Sequence, residues 1–464
     1  MAEESTEPGA RASRASRGTS TSNFGVSKRE SHDSSGFYGR FESPVLDDDD
    51  TVLAPEPVAE PFVCGDARKM HTLADGSVAL VVTSPPYFAG KQYEEELERD
   101  GVPSSYLEYL ELLHDVFAEC VRVLEPGGRI AVNVANLGRK PYRSLAADVI
   151  HILQDRLGLL LRGEIVWQKG AGASGSCAWG SFRSPSNPVL RDVTERVIVA
   201  SKGRFQRALS VEQRRARGLP HEPTIATEDF MALTLDVWQT PTESARRVGH
   251  PAPFPVELPE KIIELYTFAD DLVLDPFMGS GSTLVAASRL GRRYVGYDLD
   301  PGYVELAMAR VEDEGHPVEF DERRLGGSKE RVEQVLVDAG FTLEAEPNIR
   351  LKGTGLVVHQ VGIDRRGGRW VIELGGPFQR HRGGLTSVDA VWRTLGRTHV
   401  VRGAGERVLV LTSELPKRRT ELDHVLRAAG PDAFHDVIDV FDPDALARLA
   451  RYAHGETDQL PGFW

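Results

Sequence analysis

The sequence predicts an α/β fold built on a mostly parallel sheet, followed by a separate, smaller α/β domain. Between about residues 60 and 170, apolar runs rich in β-branched residues alternate with helical segments, an order that predicts parallel strands covered by helices. The same alternation returns between about residues 255 and 310, around a glycine-rich turn. With 464 residues, of which 41% are hydrophobic, the chain is long enough for two or three domains.

The first 55 residues are predicted to be a disordered tail, because they are rich in Ser, Arg, Glu and Gly and lack apolar periodicity. Arginines spaced by three (Arg11, Arg14 and Arg17) leave a nucleic-acid-binding arm as an alternative to a solvated tail. No signal-peptide pattern and no apolar run of about 18 residues is present, so no membrane association is expected. The three cysteines lie far apart, which suits a reducing cytoplasm and predicts neither disulfides nor a metal site.

The first half of the sheet is predicted between residues 78 and 169. A buried strand, VALVVT, runs into the stiff turn SPPY. The segment Tyr106–Leu124 has apolar residues at helical spacing, and EPGG ends that helix. Further strands are predicted at RIAVNVAN (Arg129–Asn136) and at RGEIVWQK, with a helix around Ile150 to Leu157 between them.

Residues 170–236 interrupt this order. They contain one predicted strand (Arg196–Ala200) and a basic run (Lys202–Arg217) with a single acid, Glu212. The net charge of −14 does not suggest a nucleic-acid-binding protein, although a local basic face can contact phosphates on an acidic protein. The basic run is therefore either such a face or an ordinary solvated helix.

A glycine-rich turn, VLDPFMGSGSTLVAA, follows a helix at PVELPEKIIELYTF and joins a predicted strand to an alanine-rich helix. Gly279 and Gly281 would let the backbone approach a ligand closely. A phosphate-binding Walker loop would need a lysine before the Ser/Thr position, and none is present. Asp298 ends the next strand about 20 residues later, where an acid can accept hydrogen bonds from ribose hydroxyls. Turn and acid together indicate a cofactor with an adenosine ribose, and a purely structural turn is the alternative.

Two motifs together, DPFMGSGST and TSPPY, resemble the amino-group DNA methyltransferases that use S-adenosyl-L-methionine. TSPPY precedes DPFMGSGST, which resembles the β arrangement of that family, and CGDA, IVWQK, VWQTP and HPAPFP match it in order over residues 60–310. The resemblance implies a Rossmann-like methyltransferase domain (56–325) in which 170–236 is a target-recognition insert. It also implies double-stranded DNA as substrate and a cognate restriction nuclease as a partner.

The resemblance assigns a cofactor pocket residue by residue. Asp66 would contact the adenine edge, Asp298 the ribose, Asp275, Phe277, Gly279 and Gly281 the methionine end, and Phe254 and Pro255 would close the pocket. A turn residue is the alternative for Asp66. The role of His250 in HPAPFP is left open.

The resemblance places the catalytic residues at Ser84, Pro85, Pro86 and Tyr87. The lone pair of a ring amino group is delocalised, so the nitrogen must become pyramidal before it can attack a methyl group. The Ser84 hydroxyl and the Pro85 carbonyl would accept its hydrogens and stabilise the developing charge, while the prolines preset the carbonyl direction and Tyr87 supports a base rotated out of the duplex. Direct attack requires no cysteine nucleophile and no metal. A rigid loop with a core tyrosine is the alternative.

The acceptor base depends on one residue. Adenine-modifying members of the family usually have Asp or Asn where this chain has Ser84, and those with Ser are mostly cytosine-N4 enzymes. The resemblance therefore favours cytosine N4; adenine N6 and a non-catalytic DNA-binding scaffold are the alternatives. Phosphate or guanine contacts are expected from Arg183, Arg191, Arg204 and Arg214, and Trp167 and Trp179 would stack on a base or pack in the core.

Residues 326–464 are predicted to form the separate C-terminal α/β domain, with strands at GLVVHQVGI, RWVIEL and RVLVLTS and a helix near Ser387–Leu395. VGIDRRGGRWVIELGG resembles the core of PD-(D/E)xK nucleases, in which Asp364 and Glu373 would hold a magnesium ion. Gly375 stands where that family has its catalytic lysine. The domain is thus expected to be a degenerate nuclease-like fold or an unrelated α/β addition, and not an active nuclease.

Overall fold

The structure is a computed structural model of the 464-residue chain. It describes residues 45–86, 105–136, 142–169, 180–190, 193–242, 254–316, 328–344, 348–376, 383–458 and 463.

Among its described residues, the region between 62 and 314 contains eight strands that form a single sheet. They are β1 Phe62–Cys64, β2 Val78–Thr83, β3 Leu124–Val134, β4 Leu160–Gln168, β5 Thr194–Ser201, β6 Val237–Gln239, β7 Leu272–Asp275 and β8 Arg293–Asp298. The helices described in this region are α1 Tyr106–Val123, α2 Leu145–Ile150, α3 Val211–Ala216, α4 Thr227–Leu233, α5 Glu257–Tyr266, α6 Ser282–Arg289 and α7 Pro301–Glu314. A π-helical turn, His151–Arg156, continues α2.

The strand order is β1-β8-β7-β2-β3-β5-β4-β6. β5 pairs antiparallel with both of its neighbours, β3 and β4, and every other pairing in this sheet is parallel. The prediction of a mostly parallel sheet in a Rossmann-like α/β fold is therefore confirmed. β5 belongs to the segment predicted as an insert, yet it is a central strand.

Apolar cores lie on both faces of this sheet because its central strands are buried on both sides. β2 is buried along its whole length. One cluster includes Leu113 and Phe117 of α1, and the other includes Ile262 of α5 and Leu284 of α6. Helices thus cover both faces and leave the ends of the strands available for a site.

The C-terminal region forms its own sheets and helices. Its strands are β9 Thr342–Leu343, β10 Ile349–Arg350, β11 Val357–Val358, β12 Gln360–Ile363, β13 Arg369–Leu374, β14 Val408–Thr412 and β15 Asp436–Asp439. Its helices are α8 Ser328–Ala339, α9 Val388–Gly403, α10 Glu421–Ala429 and α11 Pro443–Ala453. Five strands form a sheet in the order β15-β14-β13-β12-β9, and β10 pairs with β11. Across the described ranges, no helix combines the length and the apolar character needed to span a membrane.

Candidate active site

The candidate active site lies at the edge of the eight-stranded sheet where its parallel strands end. β1, β8, β7 and β2 are consecutive neighbours, and at or just beyond their ends lie Asp66, Asp298, Asp275 and Ser84, respectively. Neighbouring strands are about 4.8 Å apart, so four strand ends span roughly 14 Å. Ligands of open α/β sheets bind at this edge, and four of the predicted site residues meet there.

The glycine-rich turn between β7 and α6 has a backbone that requires glycine. Gly279 and Gly281 have φ angles of 47° and 78°, in the left-handed region. A Cβ atom at Gly281 would also lie only 2.9 Å from the Cβ atom of Ala307 in α7. Arg310, also in α7, donates a hydrogen bond of 2.8 Å to the carbonyl oxygen of Ser280. The turn is therefore held close against α7.

Asp298 joins the end of β8 to this turn. Its carboxylate accepts hydrogen bonds from the backbone nitrogens of Gly279 at 3.0 Å and Asp300 at 2.9 Å. Burial raises the pKa of the Asp298 carboxyl above its usual value. The predicted ribose acceptor thus lies beside the turn predicted to bind the same cofactor, and its contact with a ribose stays a prediction.

Asp275 joins the turn to the neighbouring strand. Its side chain is fully buried, and Oδ1 accepts hydrogen bonds from the Thr83 hydroxyl at 2.7 Å and from the backbone nitrogen of Phe277 at 3.1 Å. Burial raises the pKa of this carboxyl from 3.8 to about 6. Because Thr83 immediately precedes Ser84, Asp275 couples the glycine-rich turn to the predicted catalytic residues.

The segment Ser84–Pro86, here called the SPP loop, follows β2 directly. The Ser84 hydroxyl donates a hydrogen bond of 3.2 Å to the carbonyl oxygen of Asn133. The Pro86 carbonyl oxygen accepts one of 2.8 Å from the Tyr109 hydroxyl of α1, and Pro85 is buried. Both ends of the loop are therefore held by neighbouring elements.

The remaining predicted cofactor residues frame the same edge. The Asp66 carboxylate pairs with the Arg68 guanidinium at 2.8 Å, and the hydrogen bond from Arg68 lowers the pKa of Asp66. The Phe254 carbonyl oxygen accepts a hydrogen bond of 2.9 Å from the Ser282 hydroxyl at the start of α6. Pro255 is buried and leads into α5. Phe254 thus lies against the helix that follows the glycine-rich turn.

A second polar group at this edge was not predicted as part of the site. The Asn133 amide nitrogen lies 3.4 Å from Ser84 Oγ and donates a hydrogen bond of 2.6 Å to Glu195 Oε2. Lys169 Nζ lies 2.5 Å from Glu195 Oε1. The one sequence signal was the IVWQK motif, which ends in Lys169 and to which no role was assigned. Asn133 and Glu195 gave no signal of their own.

The basic run after β5 lies at the opposite edge of the sheet, because β5 runs antiparallel to its neighbours. Arg214 has only 1% of its side chain exposed and pairs, together with Arg207, with the carboxylates of Glu125 and Asp271. The prediction that Arg214 contacts DNA is therefore wrong: its charge is neutralised inside the protein. Arg204 donates to the carbonyl oxygen of Asp49 at this same distant edge, so the structure does not bring it near the SPP loop.

Trp167 is a core residue, with 2% of its surface exposed and its indole nitrogen donating to the Thr240 carbonyl oxygen at 2.8 Å. Of its two predicted roles, packing is confirmed and base stacking is excluded. Arg183 lies on an exposed turn with a φ of 56°. The other residues with predicted or open roles that lie outside the described residues are Tyr87, Trp179, Arg191 and His250, together with Arg11, Arg14 and Arg17 of the predicted tail.

Asp364 and Glu373 do not form a metal site. In the register of the β12–β13 hairpin, Asp364 lies beyond the turn end of the strand pair and Glu373 near its other end, about five residues or roughly 16 Å apart. The Asp364 carboxylate accepts hydrogen bonds from the Gly368 backbone at 2.7 Å and the Trp370 indole at 2.9 Å, and Glu373 pairs with Arg397. The resemblance to PD-(D/E)xK nucleases therefore does not extend to the arrangement in which these two acids could share a magnesium ion. In the part of the chain that the structure describes, no group of three His, Cys, Asp or Glu residues could hold a metal ion.

Comparison with known proteins gives the following matches. A family model of N6/N4 methyltransferases, described as DNA methylase, matches residues 78–309. Type II methyltransferase M.MthZI of Methanothermobacter thermautotrophicus is 31% identical over 272 residues, which are 53% of this chain and 75% of that protein. DNA adenine methyltransferase YhdJ of Escherichia coli (strain K12) is 25% identical over 307 residues, 63% of this chain and 96% of that protein. A DNA modification methylase from Thermus thermophilus, solved with S-adenosyl-L-methionine, is 31% identical, covers 54% of this chain and 92% of its own, and has a TM-score of 0.41.

Proposed function

Because the chain belongs to the DNA methylase family whose model matches residues 78–309, we propose that it is a site-specific DNA methyltransferase that acts on cytosine N4. Membership itself makes the protein a DNA amino-methyltransferase that depends on S-adenosyl-L-methionine. The proposal concerns the acceptor atom, the residues that serve it and the biological setting.

One observation carries the assignment of the residues. The glycine-rich turn and the SPP loop follow adjacent parallel strands, and the hydrogen bond of 2.7 Å from Thr83 to Asp275 joins them. A cofactor on the turn and a base on the loop would therefore be neighbours. The turn fits such a cofactor, because Gly279 and Gly281 adopt the left-handed backbone that brings the turn beside the Asp298 carboxylate, an acceptor for ribose hydroxyls.

The SPP loop would act on the amino group of the target base. The Ser84 hydroxyl oxygen and the Pro85 carbonyl oxygen accept the amino hydrogens, which favours a pyramidal nitrogen and stabilises its developing positive charge. Bound S-adenosyl-L-methionine supplies a methyl group on a positively charged sulfur. The Tyr109 hydroxyl, by holding the Pro86 carbonyl, keeps the loop in place during the transfer.

Cytosine N4 is proposed because Ser84 stands at the position that, in the family this sequence resembles, tends to distinguish the two acceptors. Adenine N6 is the rival, since one relative is named a DNA adenine methyltransferase. Mass spectrometry of nucleosides from DNA treated with the protein and S-adenosyl-L-methionine separates the two. N4-methylcytosine is expected; N6-methyladenine alone would refute the acceptor, and no methylation across many DNA sequences would favour a non-catalytic DNA-binding scaffold.

We also propose a restriction-modification setting with a cognate nuclease, because relatives of this chain are named Type II methyltransferases. Methylation-aware sequencing of DNA from cells that express the protein gives its target sequence. DNA methylated by the protein should then resist a nuclease that cleaves this sequence. Cleavage of fully methylated DNA would contradict the proposed setting.

A further inference from the structure

A chain of polar contacts leads from the predicted catalytic serine into the sheet. It passes from Ser84 after β2, through Asn133 on β3 and Glu195 on β5, to Lys169 after β4. These strands are consecutive in the sheet. We propose that Glu195, held by Lys169, is a positioning residue that orients Asn133 and, through it, presents the Ser84 oxygen as a hydrogen-bond acceptor for the target amino group. This inference rests on the function proposed above.

The chemistry of Glu195 determines the orientation of the Asn133 amide. A carboxylate only accepts hydrogen bonds, so the amide nitrogen, not its oxygen, must face Glu195. That same nitrogen lies 3.4 Å from Ser84 Oγ and directs a donor toward it. The Ser84 hydroxyl in turn donates its own hydrogen to the backbone carbonyl oxygen of Asn133 at 3.2 Å. The hydroxyl hydrogen therefore points away from the substrate, and the oxygen is the group presented to an incoming N–H.

The burial of Glu195 explains the need for Lys169. Only 7% of the Glu195 side chain is exposed, and a buried carboxylate is unfavourable unless it is paired and hydrogen-bonded. Lys169 Nζ supplies the opposite charge at 2.5 Å and lies 5.7 Å from the centre of the Trp167 ring. An apolar residue would pack at such a position without this desolvation penalty. The ion pair of Lys169 and Glu195 thus contacts the site through Asn133.

The sheet also contains a matched control. Glu125 is equally buried, with 6% of its side chain exposed, and pairs with Arg207 and Arg214 at the opposite edge. Glu195→Gln and Glu125→Gln each remove one buried charge that has cationic partners. Both variants should lose stability, but only Glu195→Gln should affect methyl transfer. The new amide side chain at position 195 can donate as well as accept hydrogen bonds, so it no longer determines the orientation of the Asn133 amide.

The test measures kcat and KM for DNA and cofactor, cofactor affinity by calorimetry, and thermal stability of the full chain. For Glu195→Gln we expect kcat to fall about 10- to 100-fold with little change in cofactor affinity, since small misplacements of reacting groups have effects of this size. Glu125→Gln should keep the wild-type kcat. In the double variant Ser84→Ala, Glu195→Gln, kcat should be no lower than in Ser84→Ala alone, because one residue acts through the other.

Three results would overturn the inference while leaving the proposed function intact: an unchanged kcat in Glu195→Gln, an equal loss in both single variants, or multiplying losses in the double variant. If Glu195→Gln does not fold, Lys169→Met, at a position with 27% exposure, carries the test with the same measurements. Absence of methylation by the wild-type protein would contradict the proposed function instead.

Discussion

Asp275 should make the stability of this protein fall as the pH rises from acidic to neutral. Burial raises the pKa of its carboxyl in the folded protein to about 6, and the nearby charge of Asp298 acts in the same direction as a smaller cause. The unfolded chain ionises this group near 3.8. The folded state therefore binds the proton more tightly than the unfolded chain. The stability that this proton contributes is complete below pH 3.8, decreases between pH 3.8 and 6, and is lost above pH 6.

The size of the effect follows from the two pKa values. A difference of about two units corresponds to about 3 kcal/mol at pH 7.5, and to about half of that at pH 5, where much of the folded Asp275 is still protonated. Asp275→Asn removes the ionisation while keeping an oxygen that can accept from Thr83 and Phe277. The altered hydrogen bonds add an offset that is the same at both pH values. The stability of the variant relative to wild type should therefore increase by about 1.4 kcal/mol from pH 5 to pH 7.5.

Urea unfolding of wild type and Asp275→Asn at both pH values measures this change. Asp66→Asn is the matched control. Its hydrogen bond from Arg68 lowers the pKa of Asp66, so stability from that pair is lost only as the pH falls below the unfolded value of 3.8 and no change is expected between pH 5 and 7.5. Equal pH dependence of wild type and Asp275→Asn would refute the reasoning and show that the buried carboxyl ionises as in the unfolded chain.

Ser84→Ala should lower kcat about 10²- to 10³-fold with cofactor affinity nearly unchanged, since it removes an acceptor for the developing charge. Ser77→Ala, at the other end of β2, is the control. Loss of cofactor binding in Ser84→Ala would contradict the role of Ser84. Gly281→Ala should destabilise the protein by about 1 to 3 kcal/mol and weaken cofactor binding, because the new Cβ atom would combine a φ of 78° with a contact of 2.9 Å to Ala307. A cofactor affinity measured by calorimetry and an unfolding stability that both equal those of wild type would exclude this strain. Arg214→Ala should lower the stability of the protein by about 3 to 5 kcal/mol, while the folded variant keeps its affinity for DNA. A loss of DNA affinity at wild-type stability would instead indicate that Arg214 contacts DNA.

Local patterns in the sequence predicted much of this fold. The run of β2, the helical spacing of α1 and the order strand, glycine-rich turn, helix and strand from β7 to β8 all depend on residues close together in the chain, and these elements lie where they were expected. The predicted site residues Asp275 and Asp298 were found at strand ends for the same reason, because a strand followed by a turn is a local signal.

Burial and pairing between distant segments could not be predicted in this way. Arg214 and its neighbours were predicted to lie on an exposed face, since their acidic partners Glu125 and Asp271 are more than 50 residues away along the chain. Asp364 and Glu373 belong to one predicted motif in which they could share an ion, but the register of their hairpin places them at opposite ends. Sequence spacing gives distances along a strand but not across a sheet.

The sequence by itself determined the strands and helices, the glycine-rich turn, the SPP loop and hence the family to which this protein belongs, because each of these rests on short-range geometry. Only the tertiary structure decided which side chains face one another across the sheet. The antiparallel insertion of β5 brings Glu195 beside Asn133, 62 residues away, and carries the basic run to the far edge. The direction and register of that one strand thus separate the polar group behind Ser84 from the arginines that had been expected to contact DNA.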